Sequence, residues 1–177
     1  MVLMLNGQTT GERLQNIYQS LLKTYGSQHW WPADEPFEMM MGAILTQSAA
    51  WTNVEMAMTR LKEAGALSPG ELRRLSLTDL AALVYSSGYH NAKARKLKSL
   101  AEWTQKSCRD DLGKLFAGET GHLRQQLLSV WGIGQETADS ILLYAAGKPV
   151  FVIDAYTRRI TDRIGLAPDG NDYAAYQ

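Results

Sequence analysis

Apart from one short segment, Pro149-Val-Phe-Val-Ile153, almost every stretch of this chain longer than ten residues repeats its apolar side chains at helical spacing. That pattern predicts an all-α fold. Leu14, Ile17, Tyr18, Leu21 and Leu22 place one apolar stripe on a first helix that Gly26 stops. A loop rich in Trp and Pro, His29 to Pro36, leads into an apolar helix from Phe37 to about Leu45, and Thr46 to Ala50 reads as a turn before a helix from Trp51 to Glu63. Ser68-Pro69 and Ser76-Leu-Thr-Asp79 each have the form of a cap opening a short helix. Gly88 precedes a basic helix, Tyr89 to about Lys106, and a helix from Gly121 to Val130 runs into Trp131-Gly-Ile-Gly134. A second helix follows from Gln135 to Ala146. Asp154 opens another through Ile164, and Asp172 to Gln177 reads as the opening of one more.

Composition narrows the class. The 177 residues are 45% hydrophobic and 20% charged, a globular balance that excludes disordered and fibrous chains. The longest charge-free stretch, Met39 to Val54, is interrupted by Thr46, Gln47, Ser48, Thr52 and Asn53, so no membrane span is expected. Met1 to Asn6 carries no signal-peptide pattern, and Cys108 is the single cysteine, which together point to a reducing cytoplasm; a monomer is expected. No disulfide, cysteine-held zinc or iron-sulfur cluster is available from one thiol. His29, His90 and His122 show no ligand spacing, so no metal is assigned. Eighteen Lys plus Arg balance 18 Asp plus Glu, and a polyanion partner must therefore meet a local basic face.

Two features carry chemistry. In Leu127 to Ala138 two helices flank a Gly-x-Gly turn, Gly132-Ile133-Gly134, followed by Gln135. Glycines suit a backbone that must approach a phosphate closely, and the amides after the turn sit at the positive end of the second helix. The same glycines also suit a plain tight turn between core helices. Downstream, the extended run Val150 to Ile153 delivers Asp154 to the start of a helix bearing Arg158, Arg159 and Arg163. An aspartate there serves equally as an N-cap for Thr157.

The Gly-Ile-Gly turn, the second helix and an aspartate 20 residues after Gly134, in Val152-Ile-Asp-Ala-Tyr-Thr-Arg158, resemble the endonuclease III superfamily of helix-hairpin-helix DNA glycosylases. Phe37-Glu-Met-Met-Met-Gly-Ala-Ile-Leu-Thr-Gln47 is similar to that family's helix ahead of its DNA-wedging loop, so the resemblance spans nearly the whole chain. It implies two helical lobes, residues 30–145 and residues 1–29 with 146–177, that receive a damaged base from double-stranded DNA. It implies Asp154 as the catalytic carboxylate, Gly132, Ile133, Gly134 and Gln135 as the phosphate anchor, and Gln47 or Ser48 as the wedge, with Arg158 on DNA. Bifunctional members carry a lysine where this chain has Glu136, and adenine-mismatch members a glutamate where it has Ala43. The full pattern resembles most the branch of monofunctional 3-methyladenine glycosylases, where Trp30, Trp31, Pro32 and Trp51 match positions lining the base pocket. An endonuclease III-like lyase and a non-catalytic binding module are the alternatives. Longer relatives add a four-cysteine iron-sulfur loop whose ligands this sequence lacks, so it resembles a C-terminally shortened member with apolar surface exposed near Leu166.

An indole slot has a rationale of its own. An alkylated purine such as 3-methyladenine is cationic and binds aromatic faces by stacking and cation-π attraction, about 0.5 to 2 kcal/mol per contact. The cation leaves readily, so a carboxylate beside the sugar suffices to stabilise the oxocarbenium charge. Trp103 and Trp131 are assigned to packing. Lys93, Arg95, Lys96 and Lys98 form one basic cluster and Arg158, Arg159 and Arg163 another, either able to meet phosphates.

Overall fold

In the computed structural model, which describes residues 8–28 and 30–177, the helical spacing becomes eleven α-helices with no strand among the described residues. His29 and the Met1 to Asn6 segment lie outside them. α1 (Thr10–Tyr25), α2 (Pro36–Leu45) and α3 (Trp51–Glu63) are followed by the short α4 (Pro69–Arg74) and α5 (Leu77–Leu83) and the long α6 (His90–Cys108). α7 (Leu112–Phe116), α8 (Thr120–Leu128), α9 (Gln135–Ser140), α10 (Ala155–Arg163) and α11 (Tyr173–Tyr176) complete the order. A 3-10 turn covers Tyr85–Ser87, and a π-helical turn, Ile141–Ala145, continues α9.

The starts are set by side chains. Thr9 and Glu12 close a reciprocal capping box on α1, and Ser68 and Ser76 accept the amides of Glu71 and Asp79. α7 was not foreseen from the sequence, yet Asp111 caps it by accepting the Lys114 amide at 3.0 Å. At five residues it is too short for periodicity to reveal.

Eight of the ten residues of α2 are buried, as expected of a helix that is apolar on every side. It packs on α3, α6, α9 and the π-helical turn, while α4 and α5 lie along α6. The core runs from Phe37 to Leu142, with Trp31, Trp51 and Trp103 partly buried against it. α1 contributes no buried residue. It meets the C-terminal segment through Arg13, whose guanidinium donates to Ile164 O at 3.1 Å, and across a cavity of about 330 Å³ bordered by Leu14, Phe151, Leu166 and Tyr176. Tyr18, Leu21, Leu22, Ile160 and Ile164 stay exposed on these outer elements.

Two members of the α6 basic cluster, Lys93 and Lys98, turn to the protein's own carbonyls, while Arg95 stays exposed. Lys93 Nζ donates to Leu45 O at 2.8 Å and to Ser87 O, and Lys98 Nζ to Arg73 O at 2.9 Å and to Leu75 O. Both side chains thus satisfy carbonyls at helix C-termini, where the macrodipole favours a cation. Lys93 is 1% exposed, and burial, helped by the neighbouring Lys96 charge, pulls its pKa down to about 8. Between that value and about 10.5, the unfolded chain holds the proton that the folded chain has released, so stability rises with pH across this window. The stability of the wild-type chain relative to Lys93→Met is therefore expected to increase by on the order of 2 kcal/mol from pH 8 to pH 10. Denaturant unfolding of both proteins at the two pH values measures this, and a pH-independent difference contradicts the buried-ammonium account.

Candidate active site

One face of α9 and its π-helical continuation presents Glu136, Ser140, Leu143 and Tyr144, spaced by four, seven and eight residues, to a cleft of about 780 Å³. Opposite stand Trp30 and Trp31 from the loop before α2, Ser48 from the α2–α3 turn, and Trp51, the first residue of α3. The extended segment Val150 to Val152 and the start of α10, with Asp154 and Tyr156, form the remaining side.

The rings are arranged in contact. Trp51 lies 5.5 Å from Trp30, tilted by 37°, and 5.8 Å from Trp31 in an edge-on pair, while Trp31 meets Tyr144 at 5.3 Å. Trp31 reaches this position because position 42 is glycine. A Cβ on Gly42 would stand 3.1 Å from the indole Cζ2, tighter than ordinary contact. Trp30 is 56% exposed, leaving its ring accessible to an incoming flat group. Pro32 is placed differently from the three indoles: it lines a small cavity of about 50 Å³ behind Trp31 and Trp51, with Ala33, Val54 and Met58.

Asp154 is the N-cap of α10, and its Oδ1 accepts the Thr157 amide at 2.7 Å. It is half-buried on the cleft wall. Its charge is felt across the cleft. Glu136, at the rim, is pushed above the ordinary carboxyl value by desolvation and then by Asp154, with Arg158 opposing, and Tyr144 is raised by the same two causes. No lysine is present among the described residues lining the cleft.

The hairpin lies beside it. Gly132 has φ +91°, and a Cβ there would fall 2.3 Å from Lys96 Cγ, so both backbone and packing demand glycine. Gly134 differs, since its backbone is extended and a Cβ would meet nothing within 4 Å. It caps α9 without any side-chain hydrogen bond, leaving the first-turn amides free beside exposed Gln135. Ile133 is buried and its amide bonds Val130 O at 3.1 Å, so it anchors the turn from inside.

Gln47 is committed to the hairpin. Its Nε2 donates to Gly132 O at 3.1 Å and to Thr137 Oγ1 at 2.9 Å, while its Oε1 accepts Lys96 Nζ. The neighbouring Ser48 is exposed at the tip of the turn with φ +52°, an uncommon backbone for a residue other than glycine. Gln47 thus acts as a tether and Ser48 as the projecting residue. Arg158 donates to Asn171 O at 2.7 Å and stacks over Tyr176 at 4.7 Å, which ties it to the C-terminal segment.

Residues 41–176 match the HhH-GPD superfamily of base excision DNA repair proteins. The chain belongs to this superfamily. It is 39% identical over 172 residues to a protein of Methanocaldococcus jannaschii assigned as a DNA repair glycosylase, covering 93% of this chain and 74% of the relative. With endonuclease III of Thermotoga maritima it shares 24% identity over 152 residues, 86% of this chain and 66% of the relative. The crystal structure of an H. pylori 3-methyladenine DNA glycosylase bound to 1,N6-ethenoadenine superposes with TM-score 0.80 and 28% identity, over 94% of this chain and 78% of that one.

The protein is therefore a DNA glycosylase of the helix-hairpin-helix fold, which sets aside the binding-module alternative. Within this HhH-GPD enzyme, Tyr144, Phe151 and Tyr156 line the cleft although they were not among the candidate residues from sequence. Tyr144 was accessible in principle, because it falls two helical turns after Glu136 on the same face. Trp131 corrects the packing assignment: it is 57% exposed and borders a surface groove with Leu77, Arg95 and Lys98. Its place in the hairpin turn, outside any helical stripe, removes the periodicity that would have buried it.

Proposed function

We propose that this glycosylase hydrolyses the N-glycosidic bond of an alkylated, cationic purine flipped out of double-stranded DNA, without cutting the backbone. The observation that supports this reading is one cleft holding Asp154 together with the ring cluster of Trp30, Trp31, Trp51 and Tyr144. A flipped cationic base inserts against the indole faces, which attract it through their quadrupoles. Asp154, with one oxygen occupied by the Thr157 amide, presents negative charge to the sugar as the base departs and orients the attacking water. The free amides at the start of α9 take a backbone phosphate, approached closely because Gly134 has no side chain. Ser48 fills the space left in the duplex.

The lyase alternative requires an amine to form an imine with the sugar, and Glu136 stands where bifunctional relatives carry it. Incubation with duplex DNA containing a methylated purine is expected to release the free base and leave abasic sites uncut. Borohydride is expected to trap no protein-DNA adduct. Efficient trapping with strand scission contradicts the monofunctional reading and favours the endonuclease III-like one.

A further inference from the structure

The segment that carries Asp154 is extended but has no neighbouring strand among the described residues, so its buried backbone groups must find partners elsewhere. α11 and the residue after it supply them. Tyr173 Oη accepts the amide of Ile153, the residue immediately before Asp154, at 3.2 Å, and Gln177 Nε2 donates to Phe151 O at 3.1 Å. Behind both stands Asp139 of α9, whose side chain is fully buried. It accepts Arg124 Nε at 2.7 Å, Arg124 Nη2 at 3.0 Å and Gln177 Nε2 at 3.0 Å. The Arg124 guanidinium also lies 5.9 Å from the centre of the Tyr173 ring. A buried carboxylate on the second helix of the hairpin is thereby joined, through α11, to the backbone that aims Asp154. None of these four side chains lines the cleft.

We propose that Tyr173 is a positioning residue for base excision: its hydroxyl fixes the Ile153 amide and so fixes where the Asp154 carboxylate stands against the sugar, while the Asp139–Arg124 pair holds Gln177 on the same segment. The proposal rests on Asp154 being the catalytic carboxylate. Charge stabilisation of an oxocarbenium-like transition state depends steeply on placement, and a displacement of about 1 Å costs on the order of 10²-fold in rate. Burial first, opposed by the Ile153 amide and supported by Asp139, raises the pKa of the Tyr173 phenol, so its hydroxyl remains protonated. Gln177 holds the same segment two residues earlier, which restrains rotation about the extended backbone from both sides.

Tyr173→Phe keeps the ring and removes the hydroxyl that accepts the Ile153 amide. Its single-turnover excision constant on methylated duplex DNA is expected to fall about 10- to 100-fold. Affinity for an abasic duplex is expected to stay within about twofold, and exchange of the Ile153 amide proton to accelerate by about tenfold or more. Gln177→Ala, at an exposed position, is expected to slow excision by about three- to tenfold without touching the buried phenol. A purely structural role would lower binding and excision together, in step with the folded fraction. That result, or wild-type excision by both variants, overturns the proposal. Asp154→Asn run alongside separates the two claims: if it is inactive while Tyr173→Phe is normal, only the positioning proposal fails, whereas wild-type excision by Asp154→Asn removes the reading beneath it.

Discussion

Asp154→Asn is expected to lower single-turnover excision of an alkylated purine by about 10²- to 10³-fold while leaving affinity for duplex DNA within a few-fold. The fold should survive the change, because asparagine caps a helix about as well as aspartate and its Oδ1 still accepts the Thr157 amide. What disappears is the formal charge. After desolvation, that charge is the second cause that raises the Glu136 and Tyr144 pKa values across the cleft. In the variant the Glu136 carboxyl is expected to move back toward the ordinary range, a shift that a carbon-13 titration of its side chain reads directly. Rapid-quench excision kinetics and a thermal melt complete the check. Near-wild-type excision, or a collapse of stability in place of activity, contradicts the assignment and returns Asp154 to the role of a plain N-cap.

The second large effect concerns the rings. Trp30→Ala and Trp51→Ala are each expected to reduce excision of methylated purines by about 5- to 150-fold, the equivalent of losing one stacking partner worth roughly 1 to 3 kcal/mol. The two positions differ in their structural cost. Trp30 is mostly exposed, so its removal leaves the core intact and the melting temperature nearly unchanged. Trp51 is partly buried against the core, and truncating it forfeits a share of the about 3 to 5 kcal/mol that a core Trp contributes. Under the proposed function only the flipped base meets these faces, so binding to undamaged duplex should change little for Trp30→Ala. If that variant excises normally, the indoles are packing residues and the alkylpurine specificity is wrong.

How much of this was legible in the sequence follows from what each feature depends on. Gly132 and Gly134 mark the hairpin because glycine answers a local backbone demand, φ +91° at Gly132 and an open approach at Gly134. Asp154 and the indoles lie in segments whose spacing fits one familiar arrangement, and the fold brings them to a single cleft. The inward role of Lys93 and Lys98 was not legible, because a run of positive charge carries no information about which helix C-terminus will end beside it. Only the tertiary packing of α2 and α4 on α6 gives Lys93 and Lys98 their carbonyl partners. The tether made by Gln47 was hidden for the same reason, since its hydrogen bonds to the hairpin reach 85 and 90 residues along the chain. The clip formed by Tyr173 and Gln177 joins residues 20 and 26 positions apart and leaves no periodic trace.

The central claim, that this cleft excises an alkylated purine by hydrolysis, is tested most directly by single-turnover release of 3-methyladenine from methylated duplex DNA with enzyme in excess. The account predicts stoichiometric release of the free base by the wild-type chain, abasic sites left uncut, and loss of that release in Asp154→Asn. Absence of base release from methylated DNA, together with release of an oxidised pyrimidine and cleavage of the strand, would contradict it.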